Sequence, residues 1–443
     1  MMKNIGRHFT PFQLITMGFA AVILFGAFLL TLPISSVEGV FTPFHKALFT
    51  STSAVCVTGL AVLDTGSYWS FFGQLVILIL IQIGGLGVVT VTVSLTLLSG
   101  KKISLMQRTT MQDAIAAPRI GGIVRLTKFI LKGTFLVELI GAVLLLPVFG
   151  KDFGVKGIWM SIFHSISAFC NAGFDILGTT KNTFPSLLQY AENALVNVVI
   201  VLLIIIGGIG FLTWEDVCTN TYHFRRYRLQ SKIVLVTTAV LILLPSLFFF
   251  FWNFKNLAME ERLLASFFQA VTPRTAGFNT VDIGKMAEPA QTLIIILMLI
   301  GGSPSSTAGG MKTTTIAVLL LNAFATFRSK DTVSAFHRRI DNHVIRDAAT
   351  LLMLYVMLFF GGGIAISMYE GLPLAECLYE TASAVGTVGL TLGITPHLHM
   401  ASQLILIVLM YLGRVGGLTL IYAVFSSRNK STAKFPVEQI TVG

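Results

Sequence analysis

One short pattern is written four times in this chain. It reads Val55-Cys56-Val57-Thr58-Gly59-Leu60, Phe169-Cys170-Asn171-Ala172-Gly173-Phe174, Pro273-Arg274-Thr275-Ala276-Gly277-Phe278 and Val385-Gly386-Thr387-Val388-Gly389-Leu390. By subtraction of positions, the four glycines lie 114, 104 and 112 residues apart. Glycine removes the side chain and permits backbone dihedrals that other residues resist. What each copy can offer is therefore its peptide carbonyl, a hard oxygen ligand able to replace the water around an alkali cation. The candidate ion-binding residues are Val57, Thr58 and Gly59; Asn171, Ala172 and Gly173; Thr275, Ala276 and Gly277; and Thr387, Val388 and Gly389.

Something must hold four such turns together. Before each lies a short apolar segment, about 43–54, 157–168, 260–271 and 373–384. A dozen residues cannot cross a bilayer, which takes about 20, so each segment enters and returns on one side. Non-helical backbone at membrane depth is tolerated only inside protein or against water, a condition met if the four loops converge on one axis. The short helices then aim their C-terminal ends inward, where the negative end of the helix dipole favours a cation. Long apolar stretches flank them at roughly 14–34, 70–97, 126–148, 192–214, 232–252, 289–325, 348–368 and 401–425. The predicted fold is an all-α integral membrane protein of four covalently linked helix–pore loop–helix repeats, with pseudo-fourfold symmetry around one central pore. The repeats are read as 1–100, 101–218, 219–330 and 331–443, the last including a cytoplasmic C-terminal tail.

Composition agrees. Of the 443 residues, 54% are hydrophobic and 12% charged, against roughly 25% charged in soluble domains. The charges sort by side. Segments 1–13, 98–132, 215–232, 326–347 and 426–443 hold 21 Lys/Arg and 7 Asp/Glu, whereas those assigned to the opposite face hold 8 and 12. Basic loops stay cytoplasmic, which puts both termini inside a multi-pass protein of the cell membrane. The net charge of +11 is thereby explained by topology rather than by nucleic-acid binding. Lys3 and Arg7 precede an apolar run without a small-residue cleavage site, so the first helix is read as retained. Cys56, Cys170, Cys218 and Cys377 lack metal or redox spacing and are read as buried thiols.

The second helices share glycine clusters: Ile83-Gly84-Gly85-Leu86-Gly87, Ile206-Gly207-Gly208-Ile209-Gly210, Ile300-Gly301-Gly302-Ser303-Pro304 and Leu412-Gly413-Arg414-Val415-Gly416-Gly417. Small residues let spanning helices pack closely, and two departures add to this. Arg414 stands where the other copies have Gly85, Gly208 and Gly302. A charge at that depth faces an aqueous cavity or a partner; it is read as lying beneath the loops and opposing cation flow, with a structural ion pair or a carbonyl contact as the alternative. The third copy breaks into a polar run: Gly301, Gly302, Ser303, Pro304, Ser305, Ser306, Thr307, Ala308, Gly309, Gly310, Met311 and Lys312. Such a run cannot be lipid-facing helix. The segment 301–315 is read as a gating loop across the pathway, with a static kink as the alternative.

These four loops, the run Thr272–Phe278 and the broken third helix resemble the Trk/Ktr/HKT superfamily of potassium transporters, and most of all the membrane subunit of bacterial Ktr potassium uptake systems. The resemblance covers about 10–440. It implies potassium held at Gly59, Gly173, Gly277 and Gly389, because glycine in all four loops goes with potassium preference there. Serine in the first loop tends towards sodium, which remains the alternative ion. It also implies a homodimer with one pore per subunit, seated on a cytosolic ring of RCK-type nucleotide-binding regulatory subunits. This chain has neither a P-loop nor a Rossmann glycine pattern, so no nucleotide site is assigned to it. The basic segments 98–132, 215–232 and 326–347 offer surfaces for that ring or for membrane lipids.

Other residues bear on mechanism. Arg274 cannot face a cation; it is expected to point behind the loop and brace it on an acid such as Glu380 or Asp282. Asp64, Asp175, Asp282 and Glu380 flank the outer ends of the loops, either concentrating cations or forming a solvated rim. Glu138 lies within a span with no local partner, as a hydrogen-bonded carboxyl or a coupling-ion site. His397 and His399 have metal-like spacing but no third ligand. A sodium- or proton-coupled symporter on the same scaffold is the alternative mechanism. A membrane hydrolase is disfavoured, since His-Glu-x-x-His and Gly-x-Ser-x-Gly signatures are missing, and the chain is read as not being an enzyme.

Overall fold

The computed structural model describes residues 10–98, 105–115, 122–417, 419 and 438. The terminal parts of the basic segments 1–13 and 426–443, and part of 98–132, lie outside them. Sixteen helices account for nearly all of the regular structure in these residues.

Each repeat opens with a long helix: α1 (Pro11–Thr31), α6 (Ile123–Phe153), α10 (Leu229–Phe248) and α14 (Asn342–Glu370). Their limits follow from local chemistry. Thr10 and Gln13 form a reciprocal capping box at the start of α1, with Pro11 in the first turn where its missing N–H costs nothing. Asp341 caps α14, and Gly371 ends it in the left-handed conformation at φ 70°. These helices are apolar and long enough to cross a bilayer as single rods. Each is followed by a pore helix: α2 (Phe44–Val55), α7 (Lys156–Phe169), α11 (Met259–Val271) and α15 (Leu374–Gly386). At about 1.5 Å per residue, none of the four can span.

The second helices are where structure and sequence reading differ. The stretches 70–97 and 192–214, read as continuous, are each two helices. α3 (Phe71–Leu86) turns into α4 (Val88–Leu98) through 97°, and α8 (Ala194–Ile209) into α9 (Phe211–Asn220) through 95°. The corners are Gly87 (φ 85°, ψ 135°) and Gly210 (φ 100°, ψ 138°), a conformation open to glycine alone at little cost. The third second-helix is α12 (Glu288–Leu299), then the broken run, then α13 (Thr313–Phe327); the fourth is α16 (Met400–Val415), ending at Gly416 with the same backbone angles. The first three are therefore interrupted, not only the third, and the fourth ends at a glycine of the same backbone form. An unanticipated α5 (Leu105–Ile115) packs against α1 and α4. A small antiparallel hairpin, β1 (Ser334–Ala335) with β2 (Arg338–Arg339), sits in the basic segment between α13 and α14.

The packing closes a ring. Within a repeat the first helix lies on its own pore helix: α1 on α2, α6 on α7, α10 on α11, α14 on α15. Between repeats, each second helix lies on the next pore helix: α3 on α7, α8 on α11, α12 on α15, and α16 back on α2. The last contact joins the fourth repeat to the first and gives the chain its pseudo-fourfold axis.

Candidate functional site: a ring of four backbone turns

The four glycines meet one another in cyclic order. A Cβ placed on Gly59 would stand 2.5 Å from the carbonyl oxygen of Ala172, and one on Gly173 would stand 2.5 Å from that of Ala276. A Cβ on Gly277 would collide with the Val388 carbonyl, and one on Gly389 with the Thr58 carbonyl. No L side chain fits at such separations, so the glycines are required by neighbouring repeats and not only by their own turns. Carbonyl oxygens of Thr58, Ala172, Ala276 and Val388 are thus brought to one narrow ring.

The turns share one backbone form. Val57, Asn171, Thr275 and Thr387 have φ of 57°, 58°, 69° and 52°, and the glycines two residues on have φ of 91°, 65°, 81° and 95°. A residue of ordinary φ stands between each pair. Alternating handedness turns successive carbonyls towards the same side, whereas a strand would alternate them. The strain at the non-glycine positions is of order 1–3 kcal/mol each. Hydroxyls offset it. Ser53 accepts from the Gly59 N–H at 3.1 Å and Ser383 from the Gly389 N–H at 3.0 Å. In the other repeats Ser167 donates to the Phe174 carbonyl at 2.7 Å and Thr272 to the Phe278 carbonyl at 2.6 Å. The signal for this in the sequence is a hydroxyl five or six residues before each glycine, at Ser53, Ser167, Thr272 and Ser383. Side chains of loops two and three also touch, through an Asn171–Thr275 hydrogen bond of 3.1 Å.

A second set of hydroxyls ties pore helices to first helices. Ser51 donates to the Ile23 carbonyl at 2.7 Å, Ser165 to Glu138 at 2.6 Å and Thr381 to Phe359 at 3.2 Å. The third repeat lacks this tie. Gln269 occupies the position and is fully buried, with neither side-chain polar atom partnered. The corresponding Ile242 carbonyl is taken by Ser246 of α10 itself.

Several expected partners are replaced. Arg274 is buried behind its loop as expected, but it meets neither Glu380 nor Asp282; its guanidinium donates to the Thr238 hydroxyl of α10 at 3.3 Å. Glu380 is held by the hydroxyls of Thr391 and Thr395, both at 2.5 Å, and by the Leu392 N–H at 3.2 Å. Asp282 pairs with Lys285 at 2.9 Å, and that ammonium holds its carboxyl below the usual range. Asp64 accepts from the Ser67 N–H and hydroxyl, both at 2.7 Å, and from the Phe184 N–H at 2.8 Å. Asp64 and Glu380 are therefore buried loop braces rather than a solvated rim; Asp175 accepts from the Leu177 N–H at 3.1 Å. Glu138 has a partner from another repeat, the Gln82 amide of α3 at 3.0 Å, with the Cys170 thiol at 4.0 Å. His399 pairs with Glu370 at 2.6 Å. Cys56, Cys170 and Cys377 are buried thiols, whereas Cys218 is exposed.

Beneath the ring the broken run is stitched to its neighbours. Ser303 and Thr307 donate their N–H groups to Gly208 and Gly207 at 3.0 and 3.3 Å, and Gly310 donates to Gly413 at 3.1 Å. Phe211, just past the Gly210 corner, donates to the Ser305 carbonyl at 2.7 Å. Lys312 folds back onto the Ala308 carbonyl at 2.8 Å. Arg414 donates to the carbonyls of Thr307 in the run and of Gly84 and Gly85 in the first repeat. It holds carbonyls with no carboxylate among its described partners. The run thus bridges to the second, fourth and, through Arg414, first repeats. Below it opens a cavity of about 570 Å³, lined by Pro304, Ser305, Lys312, Arg414, Gly87 and Asp113 among others.

Residues 7–432 match the TrkH family model, described as a cation transport protein. The chain belongs to the TrkH family of cation transport proteins. Within that family it is 41% identical to the potassium/sodium uptake protein NtpJ of Enterococcus hirae, over 100% of this chain and 99% of the relative. It is 40% identical to the Ktr system potassium uptake protein B of Bacillus subtilis, over 98% and 97% of the two chains. The fold matches the crystal structure of the potassium transporter TrkH from Vibrio parahaemolyticus with a TM-score of 0.75, at 18% identity, covering 97% of this chain and 87% of that one. Membership of a cation transport family sets the hydrolase reading aside, and the TrkH architecture is a multi-pass membrane one.

Proposed function

We propose that this TrkH-family protein carries potassium into the cell through the ring of carbonyls from Thr58 to Gly59, Ala172 to Gly173, Ala276 to Gly277 and Val388 to Gly389. The observation that carries the reading is the cyclic glycine-to-carbonyl contact, because it brings peptide oxygens from all four repeats to one ring. The pore helices end at the ring and add the negative ends of their dipoles. The names of the Bacillus and Enterococcus relatives support potassium as the ion. The run 301–312, bridging three other second helices below the ring, acts as the gate, with Arg414 and Lys312 as the cations that hold it shut. The basic face is cytoplasmic, both termini lie there, and the protein works as a homodimer on a cytosolic regulatory ring, in keeping with the word "system" in the relative's name.

Rubidium uptake into proteoliposomes under an imposed membrane potential tests the reading. Wild type should accumulate rubidium in preference to sodium, and Gly277→Ser should lose that preference. Equal rubidium and sodium uptake by wild type would sink it. A sodium-coupled variant of the same function is favoured by one observation, the potassium/sodium designation of NtpJ. In that case rubidium uptake would rise with an inward sodium gradient at fixed potential.

A further inference from the structure

We propose that the cavity between α5 and the start of α6 binds the phosphate-bearing headgroup of an anionic phospholipid. The cavity has a volume of about 520 Å³ and is lined by Arg108 of α5 and by Gly122, Ile123, Val124, Arg125 and Lys128 at the entry of α6. Three cations from two helices therefore face one space. Among the described residues none of the three, nor Lys132 one turn further on, takes part in an ion pair. Asp113 is the acid nearest to Arg108 on α5, and it lines the cavity below the ring instead. The opening of α6 has no side-chain cap, its N-cap being Gly122 at φ 88°. Its first N–H groups and dipole add to the positive potential there.

Continuity along α6 decides between a lipid and a soluble acidic partner. Arg125, Lys128 and Lys132 are exposed and three or four residues apart, so they form one stripe. The same stripe runs on through exposed Phe135, Leu136, Leu139 and Val143, an apolar face of the kind acyl chains cover in a bilayer and water does not. From Arg125 to Val143 is roughly 27 Å at the rise of an α-helix, the span from a headgroup well into the hydrocarbon. A phosphodiester above and acyl chains below match this order of charge and grease, and a soluble protein would match only the upper part. Basic pockets between helices at the cytoplasmic side are suited to anionic headgroups. The leaflet follows from the topology proposed above, but the site itself does not depend on it.

Native mass spectrometry of the full-length protein released from nanodiscs of mixed phosphatidylglycerol and phosphatidylcholine tests the proposal. Nanodiscs expose both leaflets, so a wrong topology would not mask the result. Wild type should retain phosphatidylglycerol selectively. The triple variant Arg108→Gln, Arg125→Gln and Lys128→Gln should lose that selectivity by about tenfold or more, since each cation near the surface contributes appreciably to headgroup attraction. The charge-preserving pair Arg125→Lys and Lys128→Arg should bind like wild type, which separates lost charge from lost folding. Removing three cations elsewhere on the basic face, Arg338→Gln, Arg339→Gln and Arg346→Gln, should leave retention intact. An equal loss in that control would reduce the effect to diffuse charge and overturn the site. Displacement of the lipid by free glycerol phosphate would assign the pocket to a soluble anion instead. Unchanged lipid retention in the triple variant, with lost binding of a cytosolic subunit, would make the pocket a protein-docking surface and end the proposal.

Discussion

A side chain on Gly389 would collide with the carbonyl oxygen of Thr58, 331 residues away in the chain. This contact joins the last repeat to the first, and the three others of its kind complete the circle. Gly389 also has φ 95°, so an L residue there meets both a steric wall and about 1–2 kcal/mol of backbone strain. Alanine at Gly389, Gly277, Gly173 or Gly59 should widen the ring by pushing the next repeat's carbonyl away. The expected outcome is a fall of tenfold or more in rubidium-over-sodium selectivity for each of the four, measured by competitive uptake in proteoliposomes. One position tolerating alanine with full selectivity would show that the ring is not the selective element.

The hydroxyl of Ser383 accepts the Gly389 N–H, and that of Ser53 accepts the Gly59 N–H. Each bond contributes about 1 kcal/mol. Ser53→Ala and Ser383→Ala should keep the fold, lowering the melting temperature by only a few degrees. They should lower selectivity several-fold, because strained turns at Val57 and Thr387 lose the bonds that fix them. The double variant should depart from the sum of the two effects, since the Gly389 turn lies directly against the Thr58–Gly59 turn and neighbouring sites couple.

The four-repeat architecture was legible because its signals are local: a glycine turn, a short apolar segment before it and a glycine cluster after it. The limits of the pore helices fell within two residues of those read from the sequence. The corners at Gly87 and Gly210 were missed because a Gly-Gly-x-Gly cluster reads equally as a packing face; only the backbone shows that the last glycine turns the chain. In sequence Asp64 reads only as a residue of the outer mouth, cation-concentrating or solvated, because its Phe184 partner is 120 residues distant and no local pattern announces such a bond. Arg274 is illegible in the sequence for another reason. The rule that a buried charge needs an acid supplied Glu380 or Asp282, yet Glu380 was already filled by nearby hydroxyls and an N–H and Asp282 by Lys285, and a hydroxyl on α10 took their place.

Arg414 holds the carbonyl of Thr307 in the third repeat and of Gly84 in the first. Arg414→Ala should free the run 301–312 and raise rubidium flux in vesicles, by a factor of several. Removing 304–309 should make the pathway conduct constitutively. Adding Arg414→Ala to the deletion should then change little, because the residue acts through contacts the deletion has already removed. Additive effects would show that Arg414 opposes cations by its charge in the pathway and not by holding the loop.

The Gly210 corner carries the same loop from the other side. A Cβ at this glycine would strike the Pro304 carbonyl, and the Phe211 N–H already donates to Ser305. Gly210→Ala should therefore displace the run, raising flux without Arg414 being touched. Gly87→Ala is the matched comparison: the backbone angles are the same, but a Cβ there meets no loop atom, its near neighbour being the Thr90 hydroxyl at 3.9 Å. Both variants should lose stability by thermal unfolding in detergent through the strained backbone they share, Gly210→Ala more because of its added clash, and only Gly210→Ala should alter flux.

Glu138 accepts from the Gln82 amide, with the Cys170 thiol at 4.0 Å as its other side-chain donor among the described residues. Gln82→Leu would leave the carboxyl with only the weak Cys170 thiol donor at 4.0 Å, and a buried polar group so poorly satisfied costs about 1–3 kcal/mol, more if charged. The melting temperature should fall accordingly. Gln82→Leu combined with Glu138→Leu should recover most of the loss, since removing both partners exchanges a polar pair for apolar packing. Glu138→Gln alone keeps a hydrogen-bonding group opposite Gln82 and should fold normally. Its flux then discriminates two roles. A structural carboxyl predicts rubidium uptake equal to wild type at every imposed proton gradient. A coupling site predicts that wild-type uptake depends on that gradient and that the Gln variant no longer does.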